Sequence, residues 1–372
     1  MSLREDTLNI LHYKDHQHFP IVHFGYWPET IEKWNKEGHL SDDEARDVWD
    51  NSPNENALST RLGFDFNWNS TFGGHTGLYP AFEPRVLEVL PDGHVKQMDE
   101  NGVIVLTKPG VVSIPAEIGH TLTDRQSWEG GYRHRLLPSE DRYRHIDYTP
   151  FTTTEGREKP IGIFCGSLYG YVRNYLGVEG TCYLLADDEE LFTEIIDTNA
   201  EMQYKTLEAI LAQGVKPDYA HFWEDICFKN GPLVSPSVFA EKVGPWYRRF
   251  TQLLAAHGVD IVTVDCDGMI DALLPVWLEN GVNGMFPIEV GTWNASIAPW
   301  RDTYGKKILG IGGMNKTVFA QDYKAVDAEV ERLRRLVDLG GYIPCPDHRI
   351  APDAKWENVQ YYCEQLRKVL NP

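Results

Sequence analysis

From Pro160 onward the chain alternates short apolar runs with amphipathic helical runs, and no other feature restricts its fold as strongly. The apolar runs are IGIFCG (Ile161 to Gly166), DYAHFWE (Asp218 to Glu224), VDIVTVD (Val259 to Asp265), VNGMFPIE (Val282 to Glu289), KILGIGG (Lys307 to Gly313) and GYIPCPD (Gly341 to Asp347). Helical stretches such as SVFAEKVGPWYRRFTQLLAAHG and AVDAEVERLRRLVDLGG separate them, each closing on Gly, the common residue just past a helix end. Strands alternating with helices imply a parallel sheet. An earlier strand, FPIVHF (Phe19 to Phe24), precedes the helical-looking PETIEKWNKEG, and one unplaced strand completes eight. The 372 residues accommodate a (β/α)8 TIM barrel with insertions. A doubly wound sheet is the weaker reading, because no GxGxxG or GxxxxGKS/T follows any strand.

Two elaborations precede the regular part. Ser2 to His12 carries Leu3, Leu8 and Leu11 at helical spacing with Arg4, Glu5 and Asp6 early, the pattern of a short N-terminal helix. Residues 61–115 are aromatic, Gly-rich and alternating, with turns expected at Pro91-Asp92-Gly93 and Asn101-Gly102, and read as an antiparallel β elaboration inserted early in the barrel. No linker, repeat or low-complexity tract divides the chain, so residues 1–372 read as one domain.

Charge removes several functions. With 35 Lys+Arg against 55 Asp+Glu the net charge is −20, a field that repels nucleic acid and anionic membrane surfaces. No apolar run approaches the roughly 18 residues that span a bilayer, and the start MSLREDTLNILHYKDHQ has no apolar signal core, so the expectation is a cytoplasmic protein. The six cysteines are scattered without a CxxC pair and read as inert thiols rather than a disulfide framework.

A barrel places its site at the C-terminal ends of its strands, and here those ends are polar. The first ends in His23, with Tyr26 and Trp27 beyond; later ones end in Glu224-Asp225, Asp265-Cys266-Asp267-Gly268, Glu289, Asn315 and Asp347-His348. Asp265 and Asp267 are two apart and share one face of an extended strand while Cys266 takes the other. If that face is the barrel mouth, Asp265, Asp267, Glu289 and His348 converge into a set of oxygen and nitrogen donors suited to zinc or a similar divalent cation. The competing role for Asp267 is to cap the segment after it. Of Glu224 and Asp225 at most one points inward, as a general base or metal ligand rather than one of a surface pair, and Glu224 is taken as the catalytic one. His23, Tyr26, Trp27 and Asn315 are taken to shape the substrate pocket; plain core packing is the alternative for His23 and for at least one of the two aromatics. A serine or cysteine nucleophile has no GxSxG or comparable signature behind it.

The segments SLREDTLNILHYKDHQHFPIVHFGYW, GIFCGSLYGYVRNYLGVEG, VDCDGMIDALLPVWLENGVNGMFPIE and GGYIPCPDHRIAPDAKWENV, in this order, resemble the uroporphyrinogen decarboxylase superfamily. That resemblance implies a (β/α)8 barrel and either decarboxylase or corrinoid-dependent methyltransferase activity. The decarboxylase branch holds a polycarboxylate with an Arg-rich segment after the first strand; here that place reads FPIVHFGYWPETIEKW, without Arg, although His348 matches the late His of that branch. The methyltransferase branch holds zinc through His-x-Cys-Gly and a late Cys. In this chain Asp265 stands for the His, Asp267 for the first Cys and His348 for the late Cys, which shifts the ligands from sulfur to oxygen and nitrogen.

The resemblance therefore implies a methyltransferase that moves a methyl group between a small O- or N-methylated substrate and a corrinoid, with metal or acid assistance. In that scheme Asp265, Glu224 and His348 are catalytic. No Asp-x-His-x-x-Gly loop is present, so the corrinoid (cobalamin) would come from a separate corrinoid-binding protein, and a homodimer is left open. A decarboxylase or lyase on a smaller acid, and a non-catalytic barrel binding a methylated ligand, are the alternatives.

Overall fold

The computed structural model describes residues 1–108 and 115–371. Among them the strands, in chain order, begin with β1 (Val22–His23), β2 (Phe66–Asn67), β3 (Thr71–Phe72), β4 (Arg85–Val89), β5 (Val95–Met98), β6 (Val103–Thr107) and β7 (Ala116–His120). They continue with β8 (Gly162–Gly166), β9 (Tyr219–Trp223), β10 (Cys227–Phe228), β11 (Gly231–Pro232), β12 (Val262–Asp265), β13 (Gly284–Phe286), β14 (Leu309–Met314) and β15 (Tyr342–Pro346).

One ladder runs β15-β14-β13-β12-β9-β8-β3, every pair parallel, and β1 pairs with β2 in parallel. β2 and β3 are two pieces of one lane: Trp68 N donates to His23 O at 3.0 Å on one side and Gly162 N donates to Ser70 O at 2.9 Å on the other. The Tyr219 hydroxyl, whose ring stacks on Trp68 at 4.4 Å, donates to the Trp68 carbonyl and lies 3.3 Å from the Ser70 carbonyl, so the side chain sits at the break. Beyond the strand ends, Ile350 N donates to Gly25 O at 3.0 Å and Trp27 N to Ile350 O at 3.2 Å, joining the last lane to the first. The lanes β1, β2/β3, β8, β9, β12, β13, β14 and β15 thus follow the (β/α)8 order, a TIM-barrel architecture.

The interior confirms the arrangement. Val22, Phe24, Phe66, Trp68, Tyr219, Phe286, Ile311, Ile343 and Cys345, from lanes all around the ring, pack in one buried cluster with Ile10 and Leu11. Those last two come from α1 (Leu3–Leu11), which closes one end of the barrel; Ser2 caps it, accepting from Glu5 N while Glu5 reaches back to Ser2 N. Each such fully buried side chain contributes about 1.5–3 kcal/mol.

The unplaced strand is the β2/β3 lane, and it lies inside the span expected to be antiparallel. Residues 61–72 hold the end of the helix Pro53–Leu62 and this lane, because Phe66 and Trp68 fill the barrel interior rather than a hairpin. The antiparallel sheet β4-β5-β6-β7 begins only at Arg85, with turns at both expected sites, where Gly93 and Gly102 take φ of +86° and +77°. Residues 109–114 of the expected elaboration lie outside the described residues. Among the described residues no helix is long and apolar enough to cross a membrane. All six cysteines are free, and only Cys182 is exposed.

Candidate functional site

At the C-terminal mouth a cavity of about 540 Å³ is lined by Asp50, Asp225, Asp265, Asp267, His221, His348 and Arg349 together with the rings of Phe24, Trp27, Phe164 and Trp223. Asp265 is the last residue of β12, and Asp267 follows two residues on, on the same side; Cys266 between them turns into the core, where Ile226 N lies 3.4 Å from its sulfur. No helix starts at Asp267, so the capping role is not taken, and its Oδ1 is buried without a hydrogen-bond partner.

The end of β9 exchanges the roles expected for its two acids. Glu224 is fully buried and faces away from the cavity. It accepts hydrogen bonds from Leu168 N (2.9 Å), Tyr169 N (2.9 Å), Gly170 N (2.6 Å), Ser167 Oγ (3.0 Å) and the Tyr247 hydroxyl, and so caps the buried start of the helix Gly170–Asp187. Burial pushes its carboxyl above the ordinary range and these donors pull it back. Asp225 is the acid in the cavity. It adopts a left-handed φ of +46°, uncommon for a residue with a side chain, and Arg173 Nη2 holds it through its carbonyl at 2.8 Å and its carboxylate at 3.5 Å.

Opposing charges are distributed unevenly around the cavity. Asp50 forms a two-point pair with Arg349 at 3.0 and 2.5 Å and also accepts from Asn67 Nδ2 at 2.8 Å. Asp265 and Asp267 have no such arginine pair among the described residues. Burial, then Asp267 and Asp225, push the Asp265 carboxyl well above the usual carboxylate range, with Arg349 pulling the other way. Asp225 is raised first by burial and then by Asp267, opposed by Arg173 and His348. His348 places Nε2 at 3.4 Å from Asp267 Oδ2, and its ring stacks on Trp27 at 5.4 Å with planes 12° apart.

His221, on β9, was not anticipated. The Thr263 hydroxyl donates to Ala220 O at 3.0 Å and therefore accepts from His221 Nδ1 at 2.8 Å, which leaves Nε2 without a proton. Burial pushes this imidazole down to about 4, against a smaller opposing effect of Asp50, so it is neutral at pH 7.

The remaining expected residues lie elsewhere. His23 is wholly buried, accepting from Gly25 N at 3.0 Å with Glu55 3.1 Å from its Nε2, and the Tyr26 hydroxyl meets Ser59 Oγ at 3.0 Å; both sit behind the wall of the cavity. Asn315 accepts from Thr317 N at 3.1 Å and starts the short helix Lys316–Ala320. Glu289 accepts from Gly268 N at 2.8 Å and from the Thr292 hydroxyl. Glu289 does not line the cavity, and the expected four-ligand set of Asp265, Asp267, Glu289 and His348 is not assembled among the described residues. Among the described residues no group of three or more His, Cys, Asp or Glu side chains is arranged to hold a metal ion. The residues do not fit the zinc site that the resemblance implies.

The parallel barrel with acids, imidazoles and aromatic rings gathered at the C-terminal mouth defines a (β/α)8-barrel protein with its site where such folds place one. The family model for uroporphyrinogen decarboxylase (URO-D) matches residues 146–369, and the chain belongs to that family. Among solved structures, a methyltransferase from Methanosarcina mazei is similar at a TM-score of 0.63 and 13% identity, covering 99% of each chain. A B12-independent methionine synthase from a Shewanella species is similar at a TM-score of 0.47 and 12% identity, covering 94% of this chain and 98% of the other. A search of curated proteins by sequence finds no match.

Proposed function

We propose that the protein transfers a methyl group between a small O- or N-methylated substrate and the corrinoid of a separate protein that docks at the barrel mouth. The observation that carries this reading is Asp265: a buried carboxyl beside two further carboxylates, opening on a cavity of about 540 Å³ with aromatic walls. Burial and its acidic neighbours favour the protonated form of Asp265, which suits its carboxyl to giving up a proton to a leaving group. In demethylation the bond from the methyl carbon to the heteroatom breaks and its electron pair passes to the heteroatom, which takes the Asp265 proton when it is an oxygen. A reduced corrinoid cobalt supplies the electron pair that the methyl carbon accepts. Asp267 and Asp225 keep the proton on Asp265 until then, His348 orients Asp267, and Trp27 and Trp223 enclose the methyl-bearing group. The decarboxylase alternative calls for cations free to bind carboxylates; Arg349, which lines the cavity, is paired with Asp50, and Arg173, behind Asp225, is paired with that aspartate.

The test mixes the protein with reduced cobalamin and a panel of methoxylated and N-methylated compounds and follows the absorbance of the methylated corrinoid. Transfer is expected, with Asp265→Asn slowing transfer from oxygen about 100-fold or more, the scale of a positioned acid. No transfer from any compound, or full activity in the variant, overturns the reading.

A further inference from the structure

The charge and aromatic content of the cavity say more about its ligand than the methyl group does. The aspartates lining it fall into two sets. Asp50 and Asp225 are matched by Arg349 and Arg173. Asp265 and Asp267 are not. Asp265 is 8% exposed, and no hydrogen-bond donor among the described residues reaches its carboxyl. The Oδ1 of Asp267 is buried without a partner. A native structure satisfies its buried polar groups, so an unpartnered, nine-tenths-buried carboxyl opening on a cavity points to a ligand that supplies what is missing.

The missing partner is positive, and the walls select its kind. A metal ion needs several lone pairs converging at about 2.0–2.6 Å, and no such donor group forms among the described residues. A large, weakly hydrated organic cation needs only a negative field and π faces. Trp27, Trp223 and Phe164 supply those faces, and a guanidinium already rests over the fourth ring, with Arg349 Cζ 5.7 Å from the centroid of Phe24.

We infer that the methylated ligand is itself a cation, a quaternary N-methylammonium held between Asp265 and Asp267 on one side and the rings of Trp27 and Trp223 on the other. Its charge favours the ionised form of Asp265, which burial and the neighbouring aspartates otherwise disfavour. This rests on the methyl-transfer reading for its reaction but not for its binding. With such a ligand the C–N bond breaks, its electron pair stays on nitrogen, and the methyl carbon takes the pair of the reduced corrinoid cobalt. The nitrogen leaves as a neutral tertiary amine, so no proton is required, and losing the charge also ends the attraction to the two aspartates and releases the product.

The experiment is calorimetric titration of the full chain, without corrinoid, with choline, with tetramethylammonium, and with 3,3-dimethylbutan-1-ol, which has the shape of choline without its charge. Choline is expected to bind about tenfold or more tighter than the neutral alcohol. Trp223→Leu is expected to weaken choline selectively, and Trp223→Phe to restore part of the loss. Equal binding of the two, or no binding of either cation, overturns the inference. Transfer from methoxylated compounds without cation binding would sink this inference and leave the methyl-transfer reading standing; cation binding without methyl transfer to reduced cobalamin would do the reverse.

Discussion

Asp267 and His348 meet at 3.4 Å, carboxylate Oδ2 to imidazole Nε2, across the mouth of the barrel, from the lanes of β12 and β15. Neither residue is held by its own strand alone. Trp27, just past β1, stacks on the imidazole, so three lanes set one contact. The pair is the place where the barrel's geometry becomes a chemical group, and it is the first to test.

If His348 acts by orienting Asp267, the two belong to one unit and their losses do not add. His348→Gln and Asp267→Asn are each expected to slow methyl transfer about 10- to 100-fold, and the double variant to be no slower than the worse single one. A double-variant loss equal to the product of the two single losses would show that they act separately.

His221 gives a prediction about acid stability. Its imidazole in the native state is pushed down from the ordinary 6.5 to about 4, so between these values the unfolded chain binds the extra proton and stability falls as pH falls. The contribution is roughly 3 kcal/mol across that window. Denaturant unfolding of His221→Gln beside wild type from pH 7 to 4 is expected to show the variant losing less stability on acidification. Parallel curves would mean that His221 takes up its proton equally in the native and unfolded states.

Much of this molecule was legible in its sequence, and the misses have a common physical origin. The apolar runs from Ile161 onward became β8, β9 and β12 to β15, because a strand buried on both faces has nothing to hide its signal. The second lane is not legible because it consists of two pairs of residues, Phe66–Asn67 and Thr71–Phe72, too short for any periodicity to register. At β9 the parity of the strand held the answer. Tyr219 packs inside the barrel, so His221, Trp223 and, through its left-handed turn, Asp225 follow on that side, while Glu224 falls outside. Asp50 had no such signal. It sits in a loop and is held at the cavity by Asn67 and by Arg349, the latter nearly 300 residues later, contacts that no local pattern encodes.

Asp265 sets stability against function. Its folded carboxyl lies well above the unfolded value, so the native state holds a proton the unfolded chain has released, and stability is lost as pH rises through that interval. Asp265→Asn removes the penalty. The variant is expected to melt at a higher temperature than wild type at pH 8, with the gap closing as pH approaches 4, while its transfer from methoxylated substrates falls. A lower melting temperature at pH 8 would show that the carboxyl is stabilised by a partner rather than strained.

Glu224 was expected to be catalytic and sits instead at the head of a helix, and the two roles predict different failures. Removing its side chain strands three backbone N–H groups at Leu168, Tyr169 and Gly170 with the hydroxyls of Ser167 and Tyr247 in a site that water does not enter. Unsatisfied buried donors cost about 1–3 kcal/mol each, and breaking a buried charged arrangement about 3–5 kcal/mol. Glu224→Ala is expected to lower unfolding free energy on that scale, and Glu224→Gln by less, since it keeps one acceptor oxygen but turns an amide N–H₂ toward N–H donors. Neither variant is expected to change the transfer rate per folded molecule by more than about threefold, because Glu224 does not reach the cavity. Asp225→Asn is expected to do the opposite, keeping the fold and losing rate about tenfold or more. Unfolding and single-turnover transfer measured on the same preparations decide it: a folded Glu224→Gln protein that has lost transfer would return Glu224 to the chemistry and leave Asp225 as its support.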